Sequence, residues 1–324
     1  MQIVSYKQIL EEVSRSKFII IDNRLLSLYP GLKASLTQKS VYYVDRPESS
    51  KNLNVYSEIV NFFLDEAITR NDLLYVIGGG ATSDLGGFVA ATILRGIDWI
   101  VIPTTLLAMI DASIGGKVGI NCEKGKNLIG NFHLPIDTLI CHHFLSTLDE
   151  LDIKSGRGEL LKYCFLSEDI KGLVLNNDLN DKVIAACGNF KEEIAKKDFF
   201  ETGERKKLNL GHSFGHAFEK SLNLSHGVAV AYGLQLIIEI YTPELKLEFT
   251  EICKKLDIKL APQNCDFKVF DTYFRKDKKR RNEDEMELII PKLNNDVDII
   301  RKSISEIIAD VKKNERYSYY FEGN

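Results

Sequence analysis

An apolar strand pattern that runs directly into a cluster of glycines most strongly constrains how this chain can fold. The segment LLYVIGGGATSDLGG covers residues 73–87. Glycines let the backbone approach a bound group closely, and the N-terminus of a following helix favours an anion. The segment therefore predicts a buried strand, a tight turn and the start of a helix, with a possible phosphate at the turn.

Two common phosphate-binding patterns do not fit this turn. Ser83 stands at the last glycine position of a GxGxxG pattern, and no Gly-Lys-Ser/Thr follows as in a P-loop. A plain tight turn and a dinucleotide pyrophosphate site therefore both remain open. Thr104 and Thr105 follow the next predicted strand, where parallel sheets bind ligands, although the same hydroxyls also serve as helix caps.

Strand and helix patterns alternate through the first half of the chain. The buried-strand patterns cover residues 17–22, 40–45, 73–80 and 98–103, and helical spacing covers residues 54–68 and 88–94. Such alternation predicts a mostly parallel sheet with helices on its faces. After about residue 150 helical patterns dominate. We therefore expect an α/β domain over residues 1–150 and a mainly α-helical domain over residues 151–324.

Composition and charge indicate a soluble globular protein. Hydrophobic residues make up 44% and charged residues 27% of the 324 residues, and the net charge is −4. These values favour neither a nucleic-acid nor a membrane partner, and the basic run KDKKRR at 276–281 is typical of a solvated face. The first residues lack a secretion signal, and the six cysteines are scattered, so we expect a reducing cytoplasmic location.

Two histidines lie four residues apart in the segment LNLGHSFGHAFEK, residues 208–220. In a helix, His212 and His216 would share one face. Their neighbours are mostly apolar, and Gly211 and Gly215 would let another group approach closely. A ligand or metal role and a solvated polar stripe are both consistent with this spacing.

Three segments together make the sequence resemble the 3-dehydroquinate synthase family. They are PTTLLAMIDASIGGKVGIN at 103–121, GKNLIGNF at 125–132, and the histidine segment with the later His-Gly pair. The resemblance implies a Rossmann-like N-terminal domain that binds NAD and a helical domain that binds a divalent metal, zinc or cobalt. It also implies conversion of 3-deoxy-D-arabino-heptulosonate 7-phosphate into 3-dehydroquinate and phosphate. The implied steps are transient oxidation by NAD, phosphate elimination, re-reduction and aldol ring closure, within the shikimate pathway.

The resemblance assigns a metal site and a substrate site. It matches Glu159, His212 and His226 to the metal ligands, and a site with three protein ligands leaves positions open for substrate oxygens. Residues matched to catalysis are Lys117, Lys162, His216, Asp111 and Arg95, and those matched to substrate binding are Asn127, Lys191, Arg205, Asn209, Lys278 and Lys279.

Within these sets the resemblance implies particular contacts. His216 would contact the substrate phosphate, and Lys191 with Arg205 would bind the substrate carboxylate. Arg95 would reach the neighbouring site of a homodimer. Residues matched to cofactor binding are Asp22, Glu48, Lys51, Gly78, Gly79, Gly80, Asp84, Thr104, Thr105, Asp111, Lys117, Lys126 and Thr147.

The chain departs from the family pattern at three positions. Ser83 replaces a glycine, Val228 replaces a glutamate next to His226, and Cys164 replaces a glycine. The Val228 change predicts the loss of an acidic partner of the metal ligand. These departures leave open a related cyclase, such as a 2-deoxy-scyllo-inosose or 2-epi-5-epi-valiolone synthase. An iron-type alcohol dehydrogenase is a weaker alternative, because Gly87 stands where that class carries a lysine. A non-catalytic copy is the third alternative.

Overall fold

The chain forms two compact units. The computed structural model describes residues 1–276 and 284–322. One unit comprises residues 1–149 and 188–200, and the other comprises residues 150–187 and 201–324. The expected division into two contiguous domains did not anticipate that residues 188–200 belong to the first unit. Lys278 and Lys279 lie outside the described residues.

The first unit contains a six-stranded, fully parallel sheet, whose strands in order across the sheet are β1 Gln2–Ile3, β8 Asp137–Ile140, β5 Asp98–Pro103, β4 Leu73–Gly78, β2 Phe18–Asp22 and β3 Ser40–Val44. Its strands β4 and β5 are in register so that Gly78 pairs with Pro103, and the glycine turn therefore lies beside the threonines that follow β5. An antiparallel hairpin in the same unit consists of β6 Lys117–Cys122 and β7 Gly125–Phe132.

Apolar packing on the sheet explains why these segments fold as they do. All five residues of β2 are buried. Phe18 contacts Phe63 edge to face in a buried apolar cluster that also includes Trp99. The helices of this unit are α1 Tyr6–Arg15, α2 Leu25–Leu28, α3 Pro30–Ser35, α4 Pro47–Ser50, α5 Leu53–Asp65 and α6 Gly80–Thr92, with short helical turns at Ile93–Arg95, Ala108–Ala112 and His142–Thr147.

The second unit is mainly helical and has its own aromatic core around Phe214, Phe218 and Phe270. Among the described residues, no helix combines the length and the apolar character that a bilayer span requires. The helices are α7 Glu150–Cys164, α8 Glu168–Asn176, α9 Asp181–Lys197, α10 His212–Leu222, α11 His226–Tyr241, α12 Lys246–Lys255, α13 Phe267–Arg275, α14 Ile304–Lys313 and α15 Tyr317–Tyr320, with short turns at Glu204–Asn209 and Pro243–Leu245. The second half of α9 belongs to the first unit.

A two-stranded antiparallel hairpin completes this unit, with β9 at Glu285–Pro291 and β10 at Val297–Ser303. The predicted order, an α/β architecture followed by a mainly helical one, is confirmed.

Candidate active site

Three side chains of the second unit converge to form a candidate metal centre. Glu159 lies on α7, and His212 and His226 are the first residues of α10 and α11. The Oε1 atom of Glu159 is 3.5 Å from Nε2 of His212 and 3.2 Å from Nε2 of His226. One ligand atom from each residue lies within 4.8 Å of the other two.

These distances fit a bound zinc-type ion. Metal–ligand bonds of about 2.0–2.2 Å in a tetrahedral site separate neighbouring ligand atoms by roughly 3.3–3.5 Å. The carboxylate oxygen lies at such distances from both imidazole nitrogens, 3.5 and 3.2 Å. One carboxylate and two imidazoles suit zinc, and cobalt accepts the same donors. Three protein ligands would leave at least one coordination position for a substrate oxygen.

Close helix crossings bring the three ligands together. A methyl group on Gly158 would lie 2.0 Å from the carbonyl oxygen of Gly227, so α7 and α11 approach to backbone contact only because both residues are glycine. Helices α10 and α11 meet in the same way, because a methyl group on Gly233 of α11 would lie 2.5 Å from the backbone nitrogen of Gly215 of α10. The glycines beside the histidines thus admit a neighbouring helix.

Each of the two ligand histidines has a hydrogen-bond partner on Nδ1, the nitrogen that faces away from Glu159. Nδ1 of His212 is 3.1 Å from the carbonyl oxygen of Leu210, and Nδ1 of His226 is 2.9 Å from Oε2 of Glu219. Hydrogen bonds at Nδ1 fix the tautomer that presents Nε2 as a metal ligand. Burial lowers the pKa of His226, but hydrogen bonds to Glu159 and Glu219 outweigh it and raise the value to about 9.

The three sequence departures have distinct structural settings. Val228 packs against the aromatic core of the second unit, and His226 nevertheless has a carboxylate partner, Glu219. Cys164 is fully buried, and burial raises the pKa of its thiol. The Ser83 hydroxyl donates to the carbonyl of Gly79, 3.1 Å away, and so occupies the first turn of α6.

Two further predicted residues, Lys162 and His216, adjoin the metal cluster in the same unit. Nζ of Lys162 is buried and lies 2.5 Å from Oε2 of Glu159. The ring of His216 is 5.4 Å from that of His212, so it adjoins the cluster without belonging to the ligand set. Arg205 is 1% exposed, in the turn that ends at Asn209.

Glu201, which the sequence did not indicate, contacts the predicted substrate residue Asn209. Its Oε1 accepts a hydrogen bond of 2.6 Å from Nδ2 of Asn209. Its backbone is left-handed, with φ +59°. This contact holds Asn209 through a residue eight positions earlier. No motif in the sequence indicated either Glu201 or Glu219, because both act across irregular turns.

The glycine turn of the first unit is built for close approach. A methyl group on Gly78 would lie 2.7 Å from Cβ of Thr82, and one on Gly79 would lie 2.9 Å from Cγ2 of Thr105. Gly80 begins the 13-residue helix α6. The Thr82 hydroxyl is buried and has no hydrogen-bond partner among the described residues. A buried donor at a helix N-terminus fits an anionic group such as a pyrophosphate.

Charged residues predicted to bind the cofactor pair with one another near this turn. Nζ of Lys51 forms a buried ion pair with Asp84 of α6. Burial raises the pKa of the Asp84 carboxyl, and the Lys51 ammonium opposes that rise. Nζ of Lys126 lies 3.8 Å from Oε1 of Glu48, with both side chains half exposed.

Asp22 and Asp111 have separate partners in the first unit. Asp22 ends β2 and accepts a 2.7 Å hydrogen bond from the Arg24 guanidinium. Asp111 lies in the wide helical turn Ala108–Ala112, a geometry that often marks functional sites. Nζ of Lys191 lies 3.1 Å from its Oδ2 and donates to its backbone carbonyl at 2.7 Å.

The remaining predicted residues occupy loops and strand ends of the same unit. The Thr104 amide donates to the Gly78 carbonyl at 3.0 Å, and the Thr105 hydroxyl accepts from the Ala108 amide at 3.3 Å. Thr105 is therefore a helix cap, as its position in the sequence allowed. Thr147 shares a 2.6 Å hydrogen bond with the Tyr29 hydroxyl.

Three residues of the first unit lie at its surface. Lys117 begins β6, and Asn127 lies in β7 with a left-handed backbone, φ +53°. Arg95 is exposed in the turn that follows α6. The structure thus groups Lys51 with Asp84, Asp111 with Lys191, and Glu48 with Lys126 in the first unit. It groups Lys162 and His216 with the three ligands in the second.

The architecture described above, a parallel sheet followed by a mainly helical unit, has counterparts among solved structures. A solved structure of 2-epi-5-epi-valiolone synthase from Streptomyces hygroscopicus subsp. jinggangensis 5008, with NAD+ and Zn2+ bound, superposes with a TM-score of 0.81. It covers 96% of this chain and 95% of that one at 24% sequence identity, which establishes the fold alone.

Sequence comparison identifies the family within that fold. The profile for the 3-dehydroquinate synthase N-terminal region matches residues 41–155, and the C-terminal profile matches residues 157–280. The 3-dehydroquinate synthase of Clostridium acetobutylicum is 38% identical over 71% of this chain and 70% of its own length. This chain therefore belongs to the 3-dehydroquinate synthase family. The 3-dehydroquinate synthase of Clostridium perfringens strain 13 is 45% identical, but the match covers 60% of this chain and 58% of that relative.

Proposed function

We propose that this chain is a 3-dehydroquinate synthase, a carbon–oxygen lyase. The reaction converts 3-deoxy-D-arabino-heptulosonate 7-phosphate into 3-dehydroquinate and phosphate. The observation that carries the proposal is the convergence of Glu159, His212 and His226, with ligand atoms within 4.8 Å, in a chain of this family. The relatives named above bear the same enzyme name.

The proposed cofactors are NAD and a divalent ion, zinc or cobalt. When bound, NAD would take up and return a hydride, and the ion would polarise the substrate oxygens, which stabilises charge by several kcal/mol. Glu159, His212 and His226 would hold the ion. The glycine turn with Thr82 would cradle the pyrophosphate, and Asp22 at the carboxyl end of β2 would bind the adenosine ribose.

The charged side chains would position a substrate that carries a carboxylate and a phosphate. Arg205 offers the planar donor pair that suits a carboxylate, and Asp111 orients the ammonium of Lys191 for the same purpose. A substrate without a carboxylate would give these two cations no substrate anion to bind. Their presence therefore supports the seven-carbon acid over the uncarboxylated sugars.

The phosphate would be bound by a second group of residues. His216 lies beside the ligand cluster. It would therefore donate a hydrogen bond to the departing phosphate while the sugar ring is held near the ion. Lys162, which forms an ion pair with Glu159, would bind substrate oxygens and fix the carboxylate ligand. Lys117, Asn127 and Asn209 would complete the phosphate contacts, together with Lys278 or Lys279. The chain would act mainly by orientation and charge stabilisation.

We also propose a cytoplasmic homodimer in which Arg95 reaches the neighbouring site. The six cysteines are free thiols, as a reducing compartment would keep them. Arg95 is exposed on a left-handed turn and can extend away from its own unit.

Phosphate release from three sugars tests the proposed reaction. With NAD and Zn2+ or Co2+ present, we expect release from 3-deoxy-D-arabino-heptulosonate 7-phosphate to exceed release from glucose 6-phosphate and sedoheptulose 7-phosphate. Chelation of the metal should abolish it, and no NADH should accumulate, because the hydride returns to the substrate. Faster turnover of an uncarboxylated sugar would instead assign a sister cyclase, and steady growth of NADH absorbance would assign a dehydrogenase.

A further inference from the structure

The imidazole of His226 lies between two carboxylates. Its Nε2 atom is 3.2 Å from Oε1 of Glu159, and its Nδ1 atom is 2.9 Å from Oε2 of Glu219. The Glu219 side chain is 12% exposed, so this second contact is largely shielded from water. Glu219 belongs to none of the residue sets that the sequence indicated.

We propose that Glu219 is the positioning residue of the metal centre. By accepting the Nδ1 proton of His226, it fixes the tautomer that leaves the Nε2 lone pair for the ion and makes the ring a stronger donor. The inference rests on the proposed function only in requiring a divalent ion at this cluster. It assigns Glu219 no contact with the substrate or the reacting atoms.

The surroundings of the three ligands show why His226 needs such a partner. The exposed fractions of the side chains are 0% for Glu159, 11% for His212 and 32% for His226. Packing therefore restrains the first two, whereas His226 begins a helix at a partly open position. A charged hydrogen bond to Nδ1 supplies the restraint that packing does not.

The partners of the two histidines also differ in charge. His212 has the neutral carbonyl of Leu210 at Nδ1, and His226 has a carboxylate. A carboxylate raises imidazole basicity more than a neutral carbonyl does, so His226 is the stronger of the two nitrogen donors. The left-handed residue Asn223, with φ +52°, ends α10 and turns the chain so that α11 starts beside Glu219.

Metal affinity measured without substrate tests this role. Metal-free Glu219→Ala and Glu219→Gln are titrated with Zn2+ against a chromogenic chelator and with Co2+ by visible absorption. We expect Glu219→Ala to bind about 10–100-fold more weakly and to show an altered Co2+ spectrum. Glu219→Gln should lose less, because its amide oxygen still accepts the Nδ1 proton. The matched control is Glu251→Gln on the exposed face of α12, which should bind like the parent.

The outcomes separate this inference from the proposed function. A parent that binds metal, with Glu219→Ala within about 3-fold of it and equally folded by circular dichroism, would overturn the positioning role while the proposed function stands. A parent that binds no metal would overturn the proposed function first. If Glu219→Ala fails to fold, Glu219→Met decides alone, because it keeps the length of the side chain but cannot accept the Nδ1 proton as a carboxylate does. An affinity of that variant equal to the parent's, with an unchanged Co2+ spectrum, would then contradict the proposal.

Discussion

Two histidines one helical turn apart have different chemical settings, and their removal should have different effects. We expect His212→Ala to lose the metal, since its Nε2 faces the Glu159 carboxylate at 3.5 Å. His216 lies outside the ligand set, so His216→Ala should keep the metal but slow phosphate release by about 10²–10³-fold, the usual loss of one charge-stabilising donor. Metal content by atomic absorption and phosphate release distinguish the two. Equal loss of metal in both variants would contradict this division.

The pH dependence of the metal-free protein should report the titration of His226. Its pKa is raised to about 9, against about 6.5 in an unfolded chain. Between these values the folded state binds more protons, so the free energy of unfolding falls as pH rises. The stabilisation that protonated His226 contributes is complete below about pH 6.5 and is lost as the pH rises through about 9. Urea unfolding of metal-free protein across that range measures it.

The control for this pH dependence is a variant without the titrating ring. His226→Gln should show a flatter decline in unfolding free energy over the same range, because it removes the titrating imidazole. A parent curve that rises with pH, or a variant curve parallel to it, would show that His226 is not the group responsible. Added Zn2+ should also remove the decline in the parent, because metal binds the deprotonated ring.

Residue identity alone revealed the ligands only in part. The four-residue spacing of His212 and His216 predicted a shared helix face, yet the spacing alone could not show which of them faces Glu159. That distinction came from the resemblance. Glu219 and Glu201 could not be predicted, because their hydrogen bonds depend on where turns direct the next element.

At the scale of elements, the crossing of α7 and α11 should tolerate no side chain at its centre. A methyl group on Gly227 would lie 1.7 Å from the carbonyl oxygen of Ser155, so Gly227→Ala must push the helices apart. We expect a loss of at least about 1–3 kcal/mol of unfolding free energy, the usual cost of overpacking. Weaker metal binding should follow, because Glu159 and His226 lie on the separated helices. Urea unfolding and zinc titration measure both effects.

The matched control for this crossing is a helical glycine in open space. A methyl group on Gly172 of α8 meets no atom within 4 Å. Gly172→Ala should therefore stabilise the protein by about 0.5–1 kcal/mol through helix propensity and leave metal affinity unchanged. If Gly227→Ala were as stable as the parent and bound zinc equally well, close packing would not be what positions the ligands.

Apolar periodicity predicted the elements whose burial follows a simple pattern. The strand expected at 17–22 is Phe18–Asp22, and the helix expected from the histidine segment is His212–Leu222. Helix α6 spans Gly80–Thr92, so the helix start indicated at the glycine turn and the helical spacing over residues 88–94 belong to one helix, although its glycine-rich first half has low helix propensity. Those glycines serve packing, since a methyl group on Gly87 would lie 2.4 Å from Val118.

The hairpin β6–β7 was missed for a different reason. Residues 125–132 are mostly exposed or half-buried, so β7 shows no continuous apolar run. Its pairing with β6 brings glycine against glycine, with Gly119 opposite Gly130. A methyl group on Gly130 would lie 2.5 Å from the carbonyl oxygen of Val118. Close strand contact of this kind depends on backbone geometry, which apolar periodicity does not report.

At the scale of the whole molecule, the turn after α6 supports the proposed homodimer. Leu94, Arg95 and Gly96 have consecutive positive φ values of 51°, 69° and 111°. For the two residues with side chains, this backbone costs roughly 1–2 kcal/mol each. Strain that persists in a structure often marks a functional position. Here it holds an exposed arginine at the surface of the first unit, where a neighbouring subunit could receive it.

Mixing two inactive variants should restore activity if Arg95 serves the neighbouring site. In a dimer of Arg95→Ala with His212→Ala, the first subunit keeps its metal ligands and receives Arg95 from the second. Random exchange at equal amounts makes half the dimers mixed, each with one complete site, so about a quarter of parental phosphate release should return. Each variant alone, refolded at the same concentration, is the control. If Arg95 acts within its own subunit, no mixture contains a complete site and activity stays at the level of the separate variants.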